Sequence, residues 1–202
     1  MGRLETMSPG PPKQFDRDEV LERAMLLFWR KGYEATSLPE LLDHMGIGRQ
    51  SLYDTFGDKR ALYLEALSHY FRSRVGPIQT QLRAPGSVAD NLRQVIGLWE
   101  KMAVESDGCG CLVGNCTAEK GATDPEIAER LAGYYATLEE AFREAFERGQ
   151  QQGEITVDAE AGELAKVFLR TTQGIALLSR VMPDREATAE VIRTALAIVS
   201  AR

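Results

Sequence analysis

Two short runs of the 202-residue chain hold side chains whose types and spacing could do chemistry. In Gly46-Ile47-Gly48-Arg49-Gln50-Ser51, two forked hydrogen-bonding side chains and a small hydroxyl stand together at the start of a helical pattern. Arginine offers a planar donor fork that fits the major-groove edge of guanine, and glutamine an amide whose N–H donor and carbonyl acceptor together fit adenine, each good pair contributing about 1–3 kcal/mol of discrimination. The second run, Cys109-x-Cys111-x4-Cys116, places all three cysteines of the chain within eight positions. A thiol near a helix start gains thiolate character, and the thiolate is the species that attacks electrophiles and oxidants. Free cysteines are commonly buried, so packing is the first reading of all three; the second is a redox or electrophile switch, with Cys109, flanked by two glycines, as the reactive thiol and Cys111 or Cys116 resolving it. Three cysteines could also serve as metal ligands, but the two histidines, His44 and His69, are distant in sequence, so no metal and no cofactor is expected.

The elements that must position these residues are helices. Residues 1–14, with Pro9, Gly10, Pro11 and Pro12, show no apolar periodicity and read as a flexible arm. From Asp16, the residues Val20, Leu21, Ala24, Leu27 and Phe28 recur at helical steps up to Gly32, which stands ready as a C-terminal cap. Ser37-Leu38-Pro39-Glu40 is a capping-box pattern that opens a short helix to about Met45. Gly46 supplies the positive φ of a sharp turn, and Ile47 the apolar residue that holds two helices at an angle, so residues 38–56 form a helix-turn-helix. Asp58 caps a fourth helix of about 59–82, which Gly76-Pro77 should kink or end. Further helices are expected over about 88–105, 112–120, 125–152, 159–181 and 185–201. No alternating run with hairpin turns occurs, so the fold class is all-α.

Composition narrows the function further. The chain has 24 Lys plus Arg against 30 Asp plus Glu, yet residues 1–76 hold 11 of each, leaving 13 basic and 19 acidic groups beyond them. A neutral head on an acidic body suits a protein whose front end meets phosphates and whose back end does not. No run approaches the roughly 18 uncharged apolar residues of a spanning helix, and the N-terminus lacks the apolar core of a signal peptide. A cytoplasmic location and no membrane partner follow as expectations.

The order Phe28-x-x-Lys31-Gly32-Tyr33-x-x-Thr36-Ser37-Leu38, followed by Gly46-Ile47-Gly48-Arg49-Gln50-Ser51-Leu52-Tyr53-x-x-Phe56-x-x-Lys59-x-x-Leu62, closely resembles the DNA-binding domain of the TetR family of bacterial transcriptional regulators over residues 15–65. The resemblance implies a helix-turn-helix DNA-binding domain over 15–60 on a larger helical domain over 61–202, which binds an effector and forms a homodimer through its last two helices. It implies a double-stranded, palindromic operator as partner and release by a small-molecule effector or by cysteine modification, so a repressor. Gly48, Arg49, Gln50 and Ser51 would then meet base edges, and Thr36, Ser37, Tyr53 and Lys59 would donate to phosphate oxygens, with Thr55 also at a position that meets DNA. Asp54 departs from the family pattern, since a carboxylate is repelled by phosphate. The segment Asp107 to Asn115 resembles a subgroup answering to aldehydes, acrylate or other electrophiles, NemR-like repressors among them, in which a Gly-Cys-Leu run is common.

An effector of small size would occupy an apolar cavity of the body, for which Trp99, Met102, Tyr134, Tyr135, Phe142, Phe168 and Gln173 are the candidate lining residues. The competing reading is a thiol-dependent enzyme using Cys109 or Cys111. It lacks a base placed nearby in sequence, a Gly-rich phosphate loop and a Gly-x-Ser-x-Gly elbow, so no catalytic residue is assigned.

Overall fold

The structure, a computed structural model, describes residues 15–105, 108–182 and 185–200; the arm expected over 1–14 lies outside the described residues. Helix starts are set by side chains that satisfy amides the helix leaves open. Asp16 accepts from the amides of Asp18 (2.8 Å) and Glu19 (3.2 Å) to begin α1 (Arg17–Lys31), and Ser37 accepts from Glu40 (3.3 Å) to begin α2 (Leu38–Met45). Gly46, at φ 70°, closes α2 by donating its amide to Leu42 O (2.9 Å), and α3 (Arg49–Phe56) starts three residues on. Asp58 caps α4 (Lys59–Tyr70) through the Ala61 amide at 2.7 Å. The remaining helices are α5 (Gly76–Leu82), α6 (Val88–Glu105), α7 (Leu112–Lys120), α8 (Pro125–Gln151), α9 (Ala161–Leu178) and α10 (Arg185–Val199). Among the described residues the only extended pairing is one antiparallel bridge, Ile155 to Ser200.

The interruption expected at Gly76-Pro77 falls earlier. Phe71–Val75 forms a π-helical turn that joins α4 to α5 without a break. Pro77 has no amide to offer the Ser73 carbonyl and its ring crowds that position, so the preceding turn widens instead of continuing as α.

In the N-terminal part α1 packs on α4, with α2 and α3 closing the other sides around fully buried Phe28, Leu41, Leu52 and Leu62. In the body α8 and α9 are the principal pair, α5 and α6 cover α8, and α7 is inserted between that pair and the α1–α4 face. Trp99, Phe142, Phe146 and Phe168 form an aromatic core with ring centroids 5.2–6.3 Å apart. Offset and tilted rings at these separations fill the space between them. Trp99, Phe142 and Phe168, candidates for an effector cavity, pack against one another, and Phe168 also borders the groove between α9 and α10.

Gly149 lets α8 approach the loop after it: a Cβ there would sit 2.4 Å from Ile155 Cγ1 and 3.2 Å from Val88 Cγ1. Alanine is favoured over glycine inside a helix by about 1 kcal/mol, but overpacking at a buried contact costs about 1–3 kcal/mol. Gly149→Ala should therefore lower the midpoint of thermal unfolding; a rise would show that the contact yields freely.

Candidate nucleic-acid interface

The recognition surface is built from the starts of three helices. Leu52 and Phe56 are buried and fasten α3 to the core, which turns Arg49, Gln50, Tyr53 and Asp54 outward. Tyr53 is 45% exposed, a large surface for an aromatic ring. Gly48 precedes the helix in extended conformation, with open space where a Cβ would be. α3 has neither a side-chain cap nor an acidic residue in its first turn, so its leading amides face outward unclaimed, a favourable end for an anion. Arg49 has no carboxylate partner among the described residues. Gln50 Nε2 donates to Asp54 Oδ1 at 2.9 Å, which gives the anomalous Asp54 a local role: it orients the glutamine amide.

The expected phosphate contacts divide. Ser37 is exposed at the start of α2, and Lys59, half-buried at the start of α4, holds its ammonium 4.2 Å from the centre of the Tyr33 ring. Ser51 and Thr55 are half-buried along α3. Thr36 requires a correction: it is fully buried and its hydroxyl donates to Gly32 O at 2.6 Å. Its side chain closes the turn between α1 and α2 and presents nothing to a phosphate.

Residues 20–66 match the sequence profile of bacterial regulatory proteins of the tetR family, and residues 88–195 match that of the tetracyclin repressor-like C-terminal domain. The chain belongs to the TetR family of transcriptional regulators. It is 32% identical over 192 residues to the uncharacterized HTH-type transcriptional regulator YezE of Bacillus subtilis, covering 94% of this chain and 99% of that one. It is 29% identical to the HTH-type transcriptional repressor ComR of Escherichia coli, covering 94% of this chain and 91% of ComR. A cysteine mutant of the TetR family regulator CifR, solved with a 26-base-pair double-strand operator DNA, superposes with a TM-score of 0.80 at 29% identity, covering 94% of this chain and 100% of CifR. The first three helices of this TetR-family chain are thus its DNA-binding unit.

That unit is bonded to the body through α7 and the loop before it. Trp29 Nε1, from α1, donates to Gly110 O at 3.0 Å. At the far end of α7, Glu119 accepts the backbone amides of Tyr33 (3.0 Å) and Glu34 (2.8 Å), while Lys120 pairs with Glu34 and lies 4.9 Å from the Tyr33 ring. Next to it, Arg60 makes a two-pronged pair with Asp124 (2.9 and 3.0 Å) and reaches Glu126 at 2.8 Å. The Ile127 amide, then Arg60, hold the Asp124 carboxyl below its ordinary value. Sequence pattern does not pair these groups with one another, because the bonded residues are more than 60 positions apart and have no common periodicity.

The three cysteines sit on this same segment, and none forms a disulfide. Cys109 and Cys111 are half-buried, so Cys109 is not set apart by accessibility. Cys116 is fully buried on α7 facing the Tyr63 hydroxyl, and burial pushes its thiol up. It is poorly placed to resolve an oxidised neighbour, because the thiolate is the reacting form. Among the described residues no cluster of three or more metal-ligating side chains occurs.

A cleft of about 290 Å³ opens between α7, α8 and α9, lined by Cys111, Gly114, Asn115, Thr117, Ala118, Tyr135, Gln173, Gly174, Ala176 and Leu177. Of the candidate effector residues, Tyr135 and Gln173 lie here. Tyr134 instead stacks on Phe71 at 4.3 Å and bonds Ser68 Oγ at 2.8 Å, and Met102 packs half-buried against the core.

Removing a carboxylate that satisfies two amides leaves both without a partner, at about 1–3 kcal/mol for each that stays buried. Glu119→Ala should destabilise the α1–α2 turn and raise amide exchange at Tyr33 and Glu34 by about ten-fold or more. Unchanged exchange at both amides would show that Glu119 does not hold the turn.

Proposed function

We propose that this regulator is a homodimeric, cytoplasmic repressor that reads a palindromic duplex operator and leaves it when the α7 segment is displaced, by a small molecule in the cleft or by modification of a cysteine beside it. The observation that carries the reading is the open start of α3, where exposed Arg49 and Gln50 project from a helix clamped by Leu52 and Phe56. Arg49 is suited to guanine O6 and N7. Gln50, oriented by Asp54, is suited to adenine. Gly48 and Ser51 permit close approach, and Ser37, Tyr53, Thr55 and Lys59 set the register on phosphate.

Dimerisation is supported by the far side of the body. The groove between α9 and α10 has a volume of about 610 Å³ and is walled by Leu164, Val167, Val191 and Ile198, with Leu177, Leu178, Val181 and Met182 exposed nearby. So much exposed apolar surface on adjacent helices calls for a covering partner, and a second copy would bring its own groove to the same contact. Two DNA-binding units would then meet major grooves about 34–36 Å apart or a multiple of it. Relatives named as repressors support the sign of regulation. The unit is joined to the rest of the chain by short, directional bonds from α7, so a change in the cleft would alter the presentation of α3.

The thiol-enzyme alternative has no observation in its favour: His69 Nε2 is bonded to Glu22 at 2.7 Å, and His44 lies on α2.

Selection from a random duplex library should yield a palindromic sequence bound at least about a thousand-fold more tightly than scrambled DNA at the same salt. Arg49→Ala should cost about 1–3 kcal/mol and relax the selected sequence at one base pair per half-site, whereas Lys59→Ala should weaken all duplexes alike and reduce the salt slope by about one. Equal affinity for selected and scrambled duplexes in the parent protein would contradict the proposal.

A further inference from the structure

Asp54 is the one acidic residue of α3, and it stands exposed beside Gln50 on the outward face of that helix. A carboxylate held out to a polyanion is repelled by it, so its place on a recognition helix calls for a gain that offsets the loss. Its bond is specific: Gln50 Nε2 donates to Asp54 Oδ1 at 2.9 Å, from one helical turn before it. Among the described residues neither side chain makes a further hydrogen bond or ion pair. A carboxylate only accepts, so the bond settles which end of the glutamine amide faces Asp54. The nitrogen must, and Gln50 keeps one free N–H and a free carbonyl oxygen.

Those two remaining groups decide which purine fits. Adenine offers N7 as an acceptor beside the N6 amino donor, whereas guanine offers N7 and O6, both acceptors. An unrestrained glutamine amide can turn its nitrogen to guanine and donate both hydrogens. With one hydrogen held by Asp54, the turned amide would give up a bond to a charged acceptor, stronger than one to a neutral group, and leave that carboxylate next to the guanine acceptors. One N–H and one C=O match adenine without disturbing the pair.

Resting on the reading of Gln50 as a base-contacting residue, we propose that Asp54 is a specificity-determining residue that touches no base and acts through Gln50, restricting the amide to adenine and rejecting guanine at that base pair. Discrimination is a difference of affinities, and a group that penalises the wrong partner raises it even while lowering affinity for both. An i, i+4 bond between glutamine and aspartate also lends a small stabilisation to a helix by itself. The two roles separate because only the first changes base preference.

The test uses the full chain and the selected duplex. The base pair read by Gln50 is the one whose preference is lost in Gln50→Ala, and duplexes carrying adenine or guanine there are compared at one salt concentration for the parent, Gln50→Ala, Asp54→Ala and the double variant. The parent should favour adenine by about ten-fold or more. Asp54→Ala should reduce that ratio to about two-fold or less, chiefly by binding the guanine duplex more tightly, while the preference at the Arg49 base pair stays as in the parent. Adding Asp54→Ala to Gln50→Ala should leave the ratio where Gln50→Ala alone puts it. An adenine preference that survives Asp54→Ala, or a loss of affinity equal on both duplexes, would overturn the proposal and reduce the bond to helix stabilisation. A ratio that shifts as much in the Gln50→Ala background would overturn it too, by showing that Asp54 reads the base itself. A parent that selects a base other than adenine at that pair would contradict the restriction. If Gln50→Ala relaxes no base pair, the base-contacting role of Gln50 falls and takes the proposal with it, an outcome distinct from each of the others.

Discussion

The bonds that α7 and its preceding loop make to the first helices are the constraint on which the rest of the structure depends. The Gly110 carbonyl takes the Trp29 indole, and the Glu119 carboxylate takes two amides of the α1–α2 turn. Directional bonds to fixed backbone groups have little slack, and close-packed interiors shift between discrete arrangements rather than deforming gradually. The glycines at this seam serve the same end. Gly32 allows the Glu119 carboxylate to come within 3.0 Å of where a Cβ would be, and Gly110 lets the loop lie against α9. The DNA-binding unit is therefore bonded to a segment whose opposite face is the wall of a cleft.

The charge asymmetry of the chain has a local explanation as well as a long-range one. Part of the acidity of the body lies at the seam, where Glu119 faces the amides of the α1–α2 turn and Asp124 and Glu126 face the Arg60 guanidinium at the start of α4. These carboxylates are partners for groups of the same chain. Arg49 has no carboxylate partner among the described residues, and Asp54 on the same helix is bonded to Gln50. The outer face of α3 is left suited to a polyanion, while the body's carboxylates are taken up by the α1–α2 turn and Arg60.

Much of the fold was legible because local rules dominate it. Asp16, Ser37, Asp58 and Asp124 all cap as their types suggest, Gly46 makes the left-handed turn, and Leu52 and Phe56 point inward at their i, i+4 spacing. The outward faces of Arg49, Gln50 and Tyr53 follow from the same periodicity. Tertiary facts were not legible. The π turn at Phe71–Val75 answers a proline two residues past its end, the burial of Thr36 answers the chain reversal at Gly32, and the collapse of Trp99, Phe142 and Phe168 into one cluster depends on how three helices meet. Aromatic residues at helical spacing look alike whether they line a cavity or fill it. Of the suspected effector residues, Tyr135 and Gln173 line the cleft between α7, α8 and α9, and Phe168 borders the groove between α9 and α10.

The most direct test of the account is amide hydrogen exchange at Tyr33 and Glu34, measured together with affinity for the selected duplex, before and after alkylation of Cys111 in a Cys109→Ser variant. Cys116 is buried and should remain unmodified. If the cleft wall controls the DNA-binding unit through α7, alkylation should speed exchange at both amides and weaken duplex binding together. Loss of duplex binding with unchanged exchange at Tyr33 and Glu34, or alkylation that alters neither, would contradict it.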